Sequence, residues 1–190
     1  MFVIVNFLCN FRAMTTTTPI DELLEEMVTN TGANLRDLSL QQPVLLVFLR
    51  HFGCTFCREA LSDISKKRAS IEEGGTRIVF VHMAGNEIAE EYFEKYKLSG
   101  ATHVSDPNCT YYAAFGLTKG TFTQLFGLST WVRGFSAGVM EGHGLGPRLG
   151  DDFQMPGIFM LVNGQVRDSF IHKLASDRPD YEDLVRCCAL

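Results

Sequence analysis

Val44-Leu45-Leu46-Val47-Phe48-Leu49-Arg50-His51-Phe52-Gly53-Cys54-Thr55-Phe56-Cys57-Arg58-Glu59-Ala60-Leu61 is the stretch from which the rest of the chain can be read. Its first six residues are unbroken aliphatic and aromatic, with Pro43 before them and Gly53 after. A run of that kind predicts a strand buried on both faces, as in a mostly parallel sheet. Beyond Gly53 the period changes. Cys57, Leu61 and Ile64 recur at helical spacing, and Glu59, Asp63, Lys66 and Lys67 fall off that stripe. Cys54-x-x-Cys57 therefore sits where a central strand hands over to a helix.

That position has its own chemistry. The first turn of a helix presents free amide groups and the positive end of the helix dipole, which stabilise a thiolate, the reactive form of cysteine. The dipole contributes about 0.3–1 kcal/mol, enough to lower a free-cysteine pKa near 8.5 by about one pH unit at most. A nucleophile ionised at neutral pH needs more, and Arg50, His51 and Arg58 are the nearby candidates. Thiols three residues apart at a helix start lie within disulfide reach, so the pair can cycle between dithiol and disulfide. Two buried structural cysteines would be the plain alternative, but the spacing at a strand-to-helix turn favours redox chemistry. Zinc would require a second ligand pair, and Cys187-Cys188 are adjacent rather than spaced for chelation.

With 190 residues, of which 46% are hydrophobic, the chain can bury one core and is expected to form one domain. A net charge of -5 without a basic stripe argues against nucleic acid. The six cysteines, at 9, 54, 57, 109, 187 and 188, do not make a secreted disulfide framework. Met1 to Asn10 is apolar, but its positive charge, Arg12, follows the run, and the run is too short to span a bilayer. Residues 1–18 are expected to be a poorly ordered extension, with folding beginning near Met14 and the domain itself over 19–190.

Thr18-Pro19-Ile20-Asp21 offers a cap, a first-turn proline and an acid for a helix that carries Ile20, Leu23, Leu24 and Met27 inward. Leu35 to Leu40 is expected to add a short edge strand. Gly74-Gly75 turns the chain into a buried strand over Thr76 to Met83, and Asn86 opens a helix to about Leu98 with Ile88, Ala89, Tyr92, Phe93 and Tyr96 inward. A strand through Ser105-Asp106 and a short helix through Tyr112 to Phe115-Gly116-Leu117 follow. Residues 118–152 form a glycine- and aromatic-rich insertion, expected to pack as a lid or wall beside the cysteines. Its Arg133 and Arg148 could hold an anionic or peroxide group. Asn163-Gly164 between apolar runs predicts a hairpin, and Asp177-Arg178-Pro179-Asp180 starts a last helix.

The run Phe48 to Glu59 resembles the active-site segment of the peroxiredoxin-like branch of the thioredoxin superfamily, the alkyl hydroperoxide reductase/thiol-specific antioxidant-like group that includes selenoprotein L and the prostamide/prostaglandin F synthases. Gly150-Asp151-Asp152-Phe153-Gln154-Met155-Pro156-Gly157 resembles the same branch, and the likeness runs from about Leu35 to about Leu184. It implies an α/β thioredoxin-like fold, a central mixed sheet flanked by helices, with peroxiredoxin-type additions across a single domain over 19–190. It also implies that Pro156 is the proline held cis opposite the redox pair. Ordinary peroxiredoxins have Thr-x-x-Cys where this chain has Cys54-x-x-Cys57, so Cys57 aligns with their peroxide-attacking cysteine. They also carry an arginine immediately before the strand where this chain has Pro156. Arg50 or Arg133 is the candidate replacement.

Three activities fit. The first is a thiol-dependent reductase of peroxide or endoperoxide O–O bonds, in which one thiolate attacks oxygen and the other cysteine condenses with the sulfenic acid. Thioredoxin or glutathione would then restore the pair. The second is a thiol–disulfide oxidoreductase acting on protein disulfides. The third is a redox-responsive interaction module that does not turn over. The catalytic candidates are Cys54 and Cys57, supported by Arg50, His51, Thr55, Arg133 and Pro156. The resemblance to thioredoxins favours Cys54, desolvation of Cys57 and the helix dipole oppose each other with similar size, and the peroxiredoxin alignment leans to Cys57 as nucleophile. No cofactor or metal is implied: the five histidines share no ligand spacing, and Gly142-His143-Gly144-Leu145-Gly146 lacks a preceding strand. A cytoplasmic setting and a homodimer accompany the resemblance.

Overall fold

The computed structural model describes residues 20–126 and 150–186. The chain runs α1 (Ile20–Glu26), α2 (Leu35–Gln41), β1 (Val44–Phe48), α3 (Thr55–Glu73), β2 (Arg77–His82), α4 (Asn86–Lys95), β3 (Thr102–Ser105), α5 (Thr110–Ala114), α6 (Phe122–Phe126), β4 (Gly157–Val162), β5 (Gln165–Ile171) and α7 (Tyr181–Arg186). The strands form one five-stranded sheet in the order β3-β2-β1-β4-β5. The pairs β1–β2 and β2–β3 are parallel, whereas β1–β4 and β4–β5 are antiparallel. This is the mixed α/β sheet of the thioredoxin-like fold, with β1 at its centre.

The apolar run that opened the reading is buried on both faces. Leu45, Val47 and Leu49 enter a core shared with α3 and α4, and Val44, Leu46 and Phe48 enter a second core with α1, α2 and α5. Strand alternation makes this split, and two covered faces explain why no polar residue interrupts the run. Asn163 and Gly164, with φ of 53° and 74°, close the β4–β5 hairpin as a tight turn of the primed kind.

Three expectations are corrected. Residues 35–41 are helix α2 rather than an edge strand: Asn34 caps it, its side chain accepting from the Asp37 amide at 2.8 Å, and Leu35 and Leu38 bury one side. Ile88 is exposed on α4, so the inward stripe there rests on Ala89 and Phe93. The Met155–Pro156 bond is trans; among the described residues no peptide is cis. Two hydrogen bonds tether the residues just before this bond. The Met155 amide donates to the Thr118 carbonyl, and the Gln154 side chain donates to the Leu117 carbonyl. Nothing in that pattern asks for the isomer that costs about 0.5–1 kcal/mol more. The Thr18-Pro19 cap, most of the 118–152 insertion with Arg133 and Arg148, and Cys9, Cys187 and Cys188 lie outside the described residues.

Candidate redox site

Cys54 is the N-cap of α3 and Cys57 lies in its first turn, both as free thiols and both buried. The turn is closed by the Cys54 amide donating to the His51 carbonyl at 3.0 Å. Arg50 and His51 follow β1 directly, so the end of the central strand places them under the helix start. The Arg50 backbone amide donates to the Cys57 sulfur at 3.2 Å, and its guanidinium Nη1 donates to the Cys54 sulfur at 3.1 Å.

The rest of that guanidinium is anchored. Its Nε donates to the Gln154 carbonyl at 3.1 Å and its Nη2 to the Asp152 carbonyl. Arg50 thus bridges Cys54 and the segment leading to Pro156. His51 Nε2 meets Asp152 Oδ1 at 3.2 Å, so the same loop holds both Arg50 and His51. Asp151 is itself tied by Lys119 at 2.7 Å. Arginine suits this task because its planar fork presents several donors at once.

These contacts separate the two thiols. The Cys57 thiol donates to the Cys54 sulfur, and with Arg50, the Cys57 amide and His51 adding to it, this outweighs desolvation and brings the Cys54 pKa down to about 5. Cys54 makes no capping hydrogen bond of standard geometry, so the charge beside it and the neighbouring thiol carry the effect. Burial pushes Cys57 well above the ordinary thiol range, and its bond to Cys54 adds to that. At neutral pH the pair is a Cys54 thiolate beside a Cys57 thiol.

The other sequence candidates fall as follows. Thr55 is buried as the first residue of α3, and Pro156 shares a narrow cavity with Arg50 and Cys57. Arg58 turns away from the sulfurs, donating to the Phe52 carbonyl at 2.8 Å and lying 5.6 Å from the Tyr92 ring centre. Glu59 and Asp63, read as off-stripe, are buried. Arg178 reaches Glu59 at 3.2 Å and grips Asp63 with two bonds of 2.6 Å. Sequence reasoning missed Asp152 and Gln154 as anchors, although both lie inside the stretch before Pro156. It also missed Tyr112, whose buried hydroxyl donates to the Leu49 and Val81 carbonyls at the ends of β1 and β2. Asp106 orients Tyr112 by capping α5, its carboxylate accepting from the amides of Thr110 and Tyr111. Among the described residues no cluster of His, Cys, Asp and Glu is arranged to hold a metal ion, and no helix is long and apolar enough to cross a membrane.

The model of the AhpC/TSA family matches residues 22–145. The chloroplastic thioredoxin-like protein AAED1 of Arabidopsis thaliana is 26% identical, over 82% of this chain and 66% of its own length. The prostamide/prostaglandin F synthase of Sus scrofa is 23% identical, over 88% of this chain and 84% of its own. Among solved structures, peroxidoxin BcpB of Mycobacterium tuberculosis superposes with a TM-score of 0.57 at 16% identity, covering 85% of this chain and 91% of its own. Peroxiredoxin 6 of Arenicola marina gives 0.57 at 12% identity, covering 86% and 70%. The fold, the thiol pair at the head of α3 and the family match agree: the chain belongs to the AhpC/TSA family, as a peroxiredoxin-like member of the thioredoxin superfamily, a group of thiol-dependent peroxidases and oxidoreductases.

Proposed function

We propose that this chain is a thiol peroxidase whose attacking group is the Cys54 thiolate and whose resolving group is the Cys57 thiol. The Arg50 guanidinium carries the reading. It stands 3.1 Å from the Cys54 sulfur, pinned from behind by loop carbonyls, so it does not have to reorganise when charge develops on a peroxide oxygen. The Cys54 thiolate attacks one oxygen, the O–O bond breaks, and the leaving alkoxide takes a proton from solvent. Cys54 is left as a sulfenic acid. Cys57 then displaces hydroxide from it, forming the disulfide and, with the Cys57 proton, water. An external dithiol of the thioredoxin type, or glutathione, reduces the disulfide. Organic peroxides, endoperoxides included, are the substrate class; a hydroperoxide follows the course above, and an endoperoxide leaves a sulfenate ester on Cys54, from which Cys57 displaces the alkoxide in place of hydroxide.

This assignment reverses the alignment-based lean to Cys57, because a buried thiol that keeps its proton is the poorer nucleophile. Arg50 takes the part that ordinary peroxiredoxins give to an arginine before the Pro156 position. We also infer one domain over residues 19–190, a reducing compartment such as the cytoplasm, and a homodimer as the assembly to test.

The experiment is a trap for sulfenic acid after stoichiometric peroxide. Cys57→Ser should accumulate trapped Cys54 sulfenic acid, and Cys54→Ser should give none. Trapping on Cys57 in the Cys54→Ser protein would reverse the roles. A second reading, exchange with protein disulfides, is favoured by the same thiolate-and-buried-thiol asymmetry. Reduction of a protein disulfide in the absence of peroxide would support it. Turnover in neither assay would leave the redox-responsive module.

A further inference from the structure

Closing the disulfide requires Cys57, the buried member of the pair, to lose a proton, and opening it requires the proton back. The groups bonded to its sulfur cannot accept it. The Arg50 amide is a donor, and the Cys54 sulfur is at that moment a sulfenic acid. The proton therefore leaves on another side of Cys57.

Cys57 borders a narrow cavity of about 30 Å³, walled also by Pro156, Ile158, His172, Ala175 and Tyr181. That is room enough for a water molecule. His172 is the remaining acceptor. Its ring interacts with the backbone of Pro156 and of Asp177, and its buried Nδ1 makes no hydrogen bond of standard geometry among the described residues. Burial brings its pKa down to about 4, so the ring is neutral at physiological pH.

The other charged groups of the cavity are taken. Glu59 and Asp63 are held by Arg178, and the Asp177 carboxylate accepts from the amides of Lys173 and Leu174 at 2.7 and 2.9 Å. Burial keeps the Tyr181 phenol protonated, and Arg50 and Arg178 only donate. Tyr112, near Cys57 on the other face of the sheet, spends its hydroxyl on two carbonyls.

Resting on the peroxidase reading, we propose that one water molecule occupies this cavity and relays the Cys57 proton to Nδ1 of His172 as the disulfide closes, and carries a proton from solvent back through His172 to Cys57 as the disulfide opens. In closure the Cys57 S–H bond breaks and its electron pair forms the bond to the Cys54 sulfur. Hydroxide leaves that sulfur, and the imidazolium gives up its proton to complete water. In opening, the thiolate of an external dithiol attacks Cys54, the S–S electron pair passes to Cys57, and Cys57 takes a proton that His172 draws from solvent and passes through the same water.

The test is the pH dependence of disulfide closure, followed by quenched flow and thiol alkylation after one equivalent of hydrogen peroxide. In the unmodified protein closure should be flat between about pH 6 and 8 and slower in heavy water. In His172→Phe, formation of the Cys54 sulfenic acid should stay within about twofold. Closure at pH 7 should fall by about 100-fold and climb about tenfold per pH unit, because hydroxide must replace the lost base. His172→Asn, which keeps a polar group for the water but cannot take its proton, should give the same rising profile and replaces His172→Phe if that variant does not fold. A variant profile as flat as the parent's, a loss equal at every pH, or no effect of heavy water on the unmodified protein would each overturn the relay. If the parent forms no Cys54 sulfenic acid, the peroxidase reading fails instead. The relay is then judged by the same pH series on opening of the disulfide by dithiothreitol.

Discussion

Replacing Arg50 by methionine removes the guanidinium 3.1 Å from the Cys54 sulfur while keeping an unbranched side chain of similar reach. At that distance and an effective dielectric constant near 20, the charge pair amounts to about 5 kcal/mol as an upper bound. A neighbouring cation in a folded protein typically moves a partner by about 1–3 pH units, or about 1.4–4 kcal/mol. The largest cause of the low Cys54 value, the bond from the Cys57 thiol, survives in the variant, so the full shift does not revert. The alkylation midpoint of Cys54, about 5 in the parent, should therefore rise to between about 6 and 8. At pH 7 the thiolate population then drops from nearly complete to between about nine-tenths and one-tenth. Peroxide oxidation should fall further, by about 100-fold or more, because the group facing the developing oxyanion is also gone. Measuring both rates at pH 9, where the thiolate is restored, separates the two losses. Alkylation should recover there and peroxide oxidation should not. Arg50→Lys keeps a charge but not the fork, so it should hold the midpoint lower than Arg50→Met without restoring peroxide oxidation. An unmoved midpoint in Arg50→Met, or full recovery of peroxide oxidation at pH 9, would refute the assignment.

Mild oxidation should join Cys54 to Cys57 and leave Cys109 and the three remaining cysteines free. Peptide mapping checks this, and a bond from Cys57 to Cys109 would contradict the paired mechanism. Burial holds His82 down to about pKa 3, so it stays neutral in the fold while the unfolded chain protonates near 6.5, and burial lowers His103, 2.9 Å away, in the same direction. The His82 contribution is complete above about pH 6.5 and is lost as the pH falls towards 3, and that of His103 adds to it with the same sign. The urea midpoint should therefore drop by the equivalent of about 2 kcal/mol or more between pH 6.5 and 5, with a shallower slope in His82→Gln. Gly157→Ala places a Cβ 2.5 Å from the Leu117 side chain, next to the segment that anchors Arg50; unfolding should report a loss of about 1–3 kcal/mol.

What the sequence disclosed was set by range. β1, the turn at Gly53 and the start of α3 are local, and their apolar run and change of period were legible. So was the hairpin at Asn163-Gly164. Residues 35–41 were misread because leucines at 35, 38 and 40 satisfy either period in so short a window; the Asn34 cap decides, and it is visible in sequence. Glu59 and Asp63 looked like solvent residues because their partner, Arg178, lies 115 residues from Asp63. The partners of Arg50 in the Pro156 segment lie 102 and 104 residues away. No local pattern marks His172, whose interest comes only from the cavity that the end of β1, α3, β4 and residues 172–181 close around it.

The two family signatures that pulled the reading apart are reconciled at Arg50. A Cys-x-x-Cys pair at a helix start is thioredoxin-like, and by itself the helix end is worth too little to ionise Cys54. Peroxiredoxins supply a guanidinium from the strand opposite, a position this chain gives to Pro156. Here the cation comes from the end of β1, four residues before Cys54, and the opposite loop contributes acceptors instead: the Asp152 and Gln154 carbonyls for Arg50, and the Asp152 carboxylate for His51. The direction of the contact is reversed, but the physical outcome is the same, a fixed positive charge at a cysteine sulfur, here that of Cys54. This arrangement has a cost in independence. The loop that positions Arg50 also runs straight into Pro156 and the Cys57 cavity. A change there should reach the charge on Cys54 and the surroundings of Cys57 together, so mutations in residues 152–156 should alter nucleophilic attack and disulfide closure in step.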